Sequence, residues 1–436
     1  MVTAGGDVGL VVPHSRTDGL PLAGESPYPE SEERVVTASG RVISARTAWR
    51  AANSVPRGTR SARRSRVGAF ARWCAERGRV PTEPGTVPDY LTHLADLRHP
   101  ESTLVAYLGT LGAWLALAGH PLDAEDRRLC QGVLNQRAAA EASEGTEAAG
   151  ALQATPVSLA DLALMVGTCD RSTPRGLRDA YALLLDWFMA GRCSEPAGLD
   201  RPDVVELEAR YTDPATGRPV VRPALQVTIR TDKTNPYGRR SHRVRIVGQD
   251  DPALCPVVAH RQWSALLDDV GAGPDGPLLR RVDRWDRVAG AGGHIPAGRH
   301  PRDARRLFGI GDRTIRNVIA KRAEAAGLVR PWEPEERVVL STAAGDAALA
   351  ALDASDREDF RADLRARRRA LRRRRARYTG HSMRRGPIRE MQRNGAHRDT
   401  IEQHARYRPG SRALARYLDD VPDWTRNPTT TLTRQG

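Results

Sequence analysis

Between residues 203 and 248 the apolar side chains stop recurring every third or fourth position and begin to alternate. The segments LQVTIR and HRVRIV both show period two, and a polar turn containing Asn235, Pro236 and Gly238 separates them. Alternation bounded by such turn residues is the pattern of an antiparallel hairpin. Most of the remaining apolar pattern is helical. The fold class expected is therefore mainly α with a small antiparallel β-sheet.

The helical pattern falls into two blocks. From Thr47 to about Asn135, Val67, Phe70, Trp73 and Cys74 share one face, Tyr90, Leu91, Leu94 and Leu97 another, and Leu104, Leu108, Leu111 and Leu115 a third, which predicts a small helical bundle. Arg50, Arg57, Arg60, Arg63, Arg64 and Arg66 lie near its start. The stretch RAAAEASEGTEAAGALQATP then has the composition of a linker. Beyond it, SLADLALMVGTC opens on a serine cap at Ser158, and GLRDAYALLLDWFMAG is a long apolar helix ending near Gly191. Helical pattern returns at Pro256 to Leu267 and at Thr314 to Gly327. The organisation expected is a leader over 1–43, a helical domain over 44–136, a linker over 137–156, a larger domain over 157–424 and a tail over 425–436.

Charge narrows the class of partner. Lys plus Arg number 68 against 53 Asp plus Glu, a formal net charge of +15. Arginine dominates the excess, and its planar fork matches phosphate oxygens, so nucleic acid is the first partner to expect. A membrane is not expected, because no window approaches the ~20 apolar residues that cross a bilayer. Cys74, Cys130, Cys169, Cys193 and Cys255 are odd in number and widely spaced, which argues against disulfides and zinc, and MVTAGGDVGLVVPHSRTDG lacks the charged head and apolar stretch of a secretion signal, so a reducing cytoplasm is expected. Neither a metal nor another cofactor is expected, since the sequence has no metal-ligand cluster and no phosphate-binding GxxxxGK[ST] loop.

Five positions carry candidate chemistry. Arg192 follows the apolar helix in AGRCSE, with Glu195 three residues on to orient it. Lys233 lies in the hairpin turn, in DKTNPYG. His381 and Arg384 in HSMRRG share one face of a helix's first turn. Tyr417 closes IEQHARYRPGSRALARY, 33 residues after Arg384.

That order, behind a helical module and a linker, resembles the tyrosine recombinase (phage integrase) family over about residues 47 to 424. AGRCSE resembles the family's first arginine box, GHSMRRG its histidine and second-arginine box, and DKTNPYGRRSHRVRI its lysine-bearing hairpin. The resemblance implies a helical core-binding (SAM-like) domain and an α+β catalytic domain, against which this chain has extra material near 276–300 and 329–377. It implies Arg192 and Arg384 on the scissile phosphate, Lys233 as acid for the leaving hydroxyl, His381 as acid or base and Tyr417 as nucleophile. Where the family has a histidine or tryptophan nine or ten residues before the nucleophile, this chain has Tyr407, with His404 the second candidate. Pro387 departs from the pattern and is expected in a first helical turn.

The function so implied is site-specific DNA recombination through a 3′-phosphotyrosine intermediate. A homotetramer would integrate or excise a mobile element through a Holliday junction in a bacterial cytoplasm, with an accessory DNA-bending or directionality protein as a further partner. Leu418 and Trp424 are expected as apolar anchors for a neighbouring protomer. The alternatives are a topoisomerase-like or telomere-resolving enzyme of the same chemistry, or a DNA-binding regulator that does not cleave.

Overall fold

The alternating segments form a three-stranded antiparallel sheet in the order of the sequence, Val204–Thr212, Pro219–Ile229 and His242–Val247. The register sets Leu225 opposite Ile246 and Val227 opposite Val244, and all four side chains are buried. A slip of one residue would turn that apolar row to solvent, so burial fixes the pairing. The hairpin pairs Ile229 with His242 and carries Lys233 in its loop. This computed structural model describes residues 34–36, 40–55, 57–143, 154–213, 216–233, 235–293, 307–353 and 356–418. The chain is mainly α with this small sheet, and its residues divide into two units, 1–152 with 332–375, and 153–331 with 376–436.

In the second unit the sheet packs into a core built around the helix Pro174–Phe188, whose residues from Arg178 to Trp187 are all buried. Thr173 caps its start, accepting from the Gly176 amide at 3.0 Å. The helix Leu159–Gly167 opens on the expected cap: Ser158 Oγ accepts from the Asp161 amide, and Asp161 accepts from the Ser158 amide, at 3.0 and 3.1 Å. That reciprocal arrangement is a capping box. Trp263, on the helix Pro256–Asp269, is fully buried and donates to the Leu278 carbonyl at 2.8 Å. Each such large side chain contributes about 1.5–3 kcal/mol by leaving water. Of the extra material expected near 276–300, residues 294–300 lie outside the described residues.

The first unit is helical. Phe70, Trp73, Tyr90, Leu91, Leu94, Leu104, Leu111, Leu115 and Leu134 form its core, drawn from the helices Arg57–Arg77, Thr86–Asp96, Glu101–Leu117 and Ala124–Ser143. Arg63 and Arg64 are exposed, whereas Arg66 is half-buried and donates to Thr110 Oγ1 at 3.1 Å. The helices Pro334–Leu340, Thr342–Ala350 and Asp356–Arg373 belong to this unit, although their place in sequence is inside the second. Part of the expected leader is ordered too. Arg34–Val36 pairs with Val42–Ser44, and Ser44 caps the helix Ala45–Asn53. Strands of three residues are too short for alternation to be read. Residues 1–33, Trp424 and the tail over 425–436 lie outside the described residues.

Candidate active site

The buried helix Pro174–Phe188 ends in a strained turn. Ala190 adopts φ of 45°, a left-handed conformation that side chains other than glycine adopt at a cost. Gly191 follows, and any Cβ there would collide with the Asp186 carboxylate. The turn delivers Arg192, whose Nη1 donates to Glu195 Oε1 at 2.9 Å, while the Arg192 amide donates to Oε2 at 3.1 Å. The Glu195 side chain is fully buried and that of Arg192 is 19% exposed, so Arg192 keeps some contact with solvent.

The helix Gly380–Arg393 starts on Thr379, whose amide donates to Ser382 Oγ at 2.8 Å. Its first residue must be glycine, because a Cβ on Gly380 would strike Cys193 Sγ. That close approach sets the start of the HSMRRG helix against the turn carrying Arg192. Arg384, 1% exposed, then reaches across: Nη1 donates to the Ala190 carbonyl at 2.6 Å, Nη2 to the Ala405 carbonyl, and Nε to Tyr407 Oη at 3.0 Å. Its guanidinium carbon lies 4.5 Å from the centroid of the Tyr407 ring. On the next turn Gly386 lets the helix press on the Val157 carbonyl and the Trp187 indole, where no Cβ fits. Pro387 lies in the helix interior and not in its first turn. Proline has no N–H for the ladder.

Tyr417 lies in the short helix Arg412–Leu418, half-buried beside Tyr407, with ring centroids 6.3 Å apart and planes at 72°. The Arg385 guanidinium carbon stands 5.5 Å from the Tyr417 ring. Burial first, then Tyr407 through its charge and a hydrogen bond, raise the Tyr417 pKa above the usual phenol value, and Arg384 and Arg385 oppose them. Of the two candidates upstream, Tyr407 touches Arg384. The other, His404, pairs with the Phe188 carbonyl at 2.8 Å, and burial leads the lowering of its pKa. Leu418 packs against the small apolar cluster of Ile388, Ile401 and Leu414.

Lys233 is exposed on the hairpin loop, whose shape Asn235 sets: its amide donates to Asp232 Oδ1 at 2.8 Å and its Oδ1 accepts from the Arg239 amide at 2.9 Å. Lys233 makes itself felt at His381. The imidazole keeps contact with solvent, yet its packed surroundings, then the positive charges of Lys233, Arg192, Arg384 and Arg385 in that order, hold its pKa below the ordinary value. Four cations crowding one imidazole make an electropositive spot suited to a phosphate oxygen. Arg192, His381, Arg384, Tyr407 and Tyr417 thus come together from three separated segments, and Lys233 is coupled to them through His381.

Two members of the cluster were not legible as such in the sequence. Arg406 lies inside a basic tail segment, RYRP, yet it is almost completely buried. It adopts φ of 57°, donates to the Met189 carbonyl at 2.9 Å and forms an ion pair with Glu195. Glu195 therefore holds two arginines. Asp186 is fully buried beside Cys193, whose Sγ donates to Oδ2 at 3.6 Å. Burial, then the charge of Glu195, push the Asp186 carboxyl up to about 7.

No protein-family model and no curated protein matches the chain. Among solved structures, a lambda integrase (75-356) dimer bound to a COC′ core site is similar at a TM-score of 0.36 and 12% identity, over 86% of this chain and 92% of that one. A second lambda integrase dimer on a COC′ core site gives 0.35 and 12%, over 91% and 96%. A likeness of that degree carries no argument about chemistry, which has to come from the residues of the site.

Proposed function

We propose that the chain is a tyrosine-type site-specific DNA recombinase, a strand transferase that cleaves and rejoins double-stranded DNA through a 3′-phosphotyrosine. The carrying observation is the reach of Arg384 from its helix to Ala190, two residues before Arg192, and to Tyr407, which stacks edge-on against Tyr417. Two guanidiniums and one phenol from three distant segments share a single electropositive spot.

In the proposed reaction Tyr417 Oη attacks the scissile phosphorus, a phosphotyrosine bond forms, and the bond to the 5′ oxygen breaks. Tyr417, with its raised pKa, is a neutral phenol near pH 7 and needs a base for its proton. His381, whose pKa is lowered first by its packed surroundings and then by the cations around it, is suited to accept it. The departing oxygen takes a proton from Lys233. Charge on the non-bridging oxygens is met by the partly exposed Arg192 and by the second N–H on each terminal nitrogen of Arg384. Donors of this kind are worth on the order of 10²–10³ in rate each. Because the phosphate bond energy stays in the phosphotyrosine, a second 5′-hydroxyl reverses the step and rejoins the strand.

On this reading four protomers act on two sites through a Holliday junction, and the substrate is a mobile element or its target. The test is covalent capture. Full-length protein is incubated with a pool of labelled duplexes of randomised sequence, nicked so that the leaving fragment diffuses away. The wild type should yield a detergent-resistant protein–DNA adduct and Tyr417→Phe none. An active DNA-binding preparation that yields no adduct from any duplex in the pool overturns the proposal.

A further inference from the structure

The helix Asp356–Arg373 repeats arginine where a packed helix repeats apolar side chains. Arg361, Arg365, Arg368, Arg369 and Arg372 recur at intervals that keep them on one side of the helix, and together with Arg98 they line a cavity of about 500 Å³. Part of this charge is used within the protein. Arg365 donates to the Leu97 carbonyl just past the helix Thr86–Asp96, and Arg368 donates to the Val339 and Ser341 carbonyls at 2.7 and 2.6 Å. These guanidiniums satisfy carbonyls that a helix end leaves over. Arg369 stands 3.8 Å from Glu141.

The rest of the charge has no such use. Among the described residues no salt bridge joins Arg98, Arg361 or Arg372 to a carboxylate, and Asp346 is the acidic residue lining the cavity. Arg98 is also held at φ of 54°, an uncommon conformation for a side chain of its size. Arg98, Arg361 and Arg372 are exposed, and six guanidiniums against the carboxylates of Asp346 and Glu141 leave a net repulsion; burial, then the charge of Arg361, lower the pKa of Arg365. A bound anion removes that repulsion. Several forks around one concavity match clustered phosphates better than a single carboxylate, and the volume falls in the range of small-molecule sites. Duplex DNA presents its phosphates along a convex edge, whereas Arg98 and the helix arginines enclose a hollow from two separate elements.

We propose that this cavity binds a compact polyphosphate, either the inorganic chain or the phosphate tail of a nucleotide. The site is independent of the cleavage chemistry and is tested without it. Inorganic tripolyphosphate is titrated calorimetrically into the full-length protein at fixed ionic strength. The expected result is saturable binding of one tripolyphosphate per chain, weakened at least about tenfold by Arg361→Gln/Arg372→Gln. The same loss of charge elsewhere, Arg243→Gln/Arg245→Gln, should leave it unchanged. Arg98→Gln, at an exposed position, tests the opposite wall should the double variant fold poorly. ATP in place of tripolyphosphate separates the sources: tighter binding identifies a nucleotide, equal binding the phosphate chain. Binding that does not saturate, or that both double variants weaken equally, overturns the proposal. So does a duplex that displaces tripolyphosphate from the wild type one for one, which would make the cavity part of a DNA surface.

Discussion

Arg406 and Glu195, 211 residues apart in sequence, form an ion pair in which both side chains are almost entirely out of water. The same carboxylate accepts from Arg192. One buried charge therefore fixes the arginine of the first turn and ties it to the segment that carries both tyrosines.

Removing Arg406 leaves the buried Glu195 carboxylate with Arg192, itself partly exposed, as its remaining partner, and removing Glu195 strips both arginines of their counter-charge. Arg406→Ala should destabilise the protein by ~3–5 kcal/mol in urea denaturation. Replacing both residues by methionine should recover much of that loss, because buried pairs exchange for apolar groups at little net cost. The double variant should still form little covalent adduct, since Arg192 has lost its anchor. Full adduct formation by that variant would mean that Glu195 does not position Arg192.

Glycines separate close packing from open surface. Gly386→Ala drives a Cβ into the Val157 carbonyl and should cost more than the ~1–3 kcal/mol typical of overpacking, because a backbone atom cannot step aside. Gly109, in the helix Glu101–Leu117, has nothing near its missing Cβ, and Gly109→Ala should stabilise by ~0.5–1 kcal/mol. Thermal denaturation of the two variants checks both signs.

Asp186 makes stability depend on pH in a direction opposite to that of a salt-bridged carboxylate. Its folded pKa is raised from 3.8 to about 7, so the folded state holds the proton more tightly than the unfolded chain does. The contribution is complete below about pH 4 and is lost as pH rises through about 7. Asp186→Asn should remove this dependence, so the wild type should lose stability relative to the variant between pH 4 and pH 7. Urea midpoints measured across that window test it, and parallel curves would show that Asp186 is ionised in the fold.

In the proposed reaction Lys233 protonates the leaving 5′ oxygen. Lys233→Ala should slow cleavage by ~10²–10⁴-fold, the usual worth of a positioned acid. A substrate with sulfur in place of that oxygen leaves as a thiolate and needs no proton. It should restore the variant to nearly the wild-type rate. An equal defect on both substrates would give Lys233 a different role.

How much of this was legible in the chain depends on the residue. The hairpin could be read because Leu225, Val227, Val244 and Ile246 alternate with polar neighbours, and Ser158 because a capping serine precedes an apolar run. Arg192, His381, Arg384 and Tyr417 stood out by order and spacing, and three-dimensional packing on Gly380 and Gly386 gives that order its geometry. Arg406 could not be read, since in sequence it is one basic residue among several, and only the fold brings Glu195 to it. Pro387 was misplaced because a helix whose first turn holds His381 and Arg384 has already completed that turn before Pro387. The segment 332–375 reads in sequence as extra material of the larger domain, because its longest helix, Asp356–Arg373, carries arginine on the face where apolar periodicity is normally sought and so gives no sign of what it packs on.

The central claim is that Tyr417 Oη is the atom joined to the scissile phosphate. Tandem mass spectrometry of the trapped adduct, after digestion of protein and DNA, reads that bond directly. The account predicts a nucleotide on Tyr417 and none on the neighbouring Tyr407. Modification of Tyr407, or of any residue outside the helix Arg412–Leu418, would contradict it.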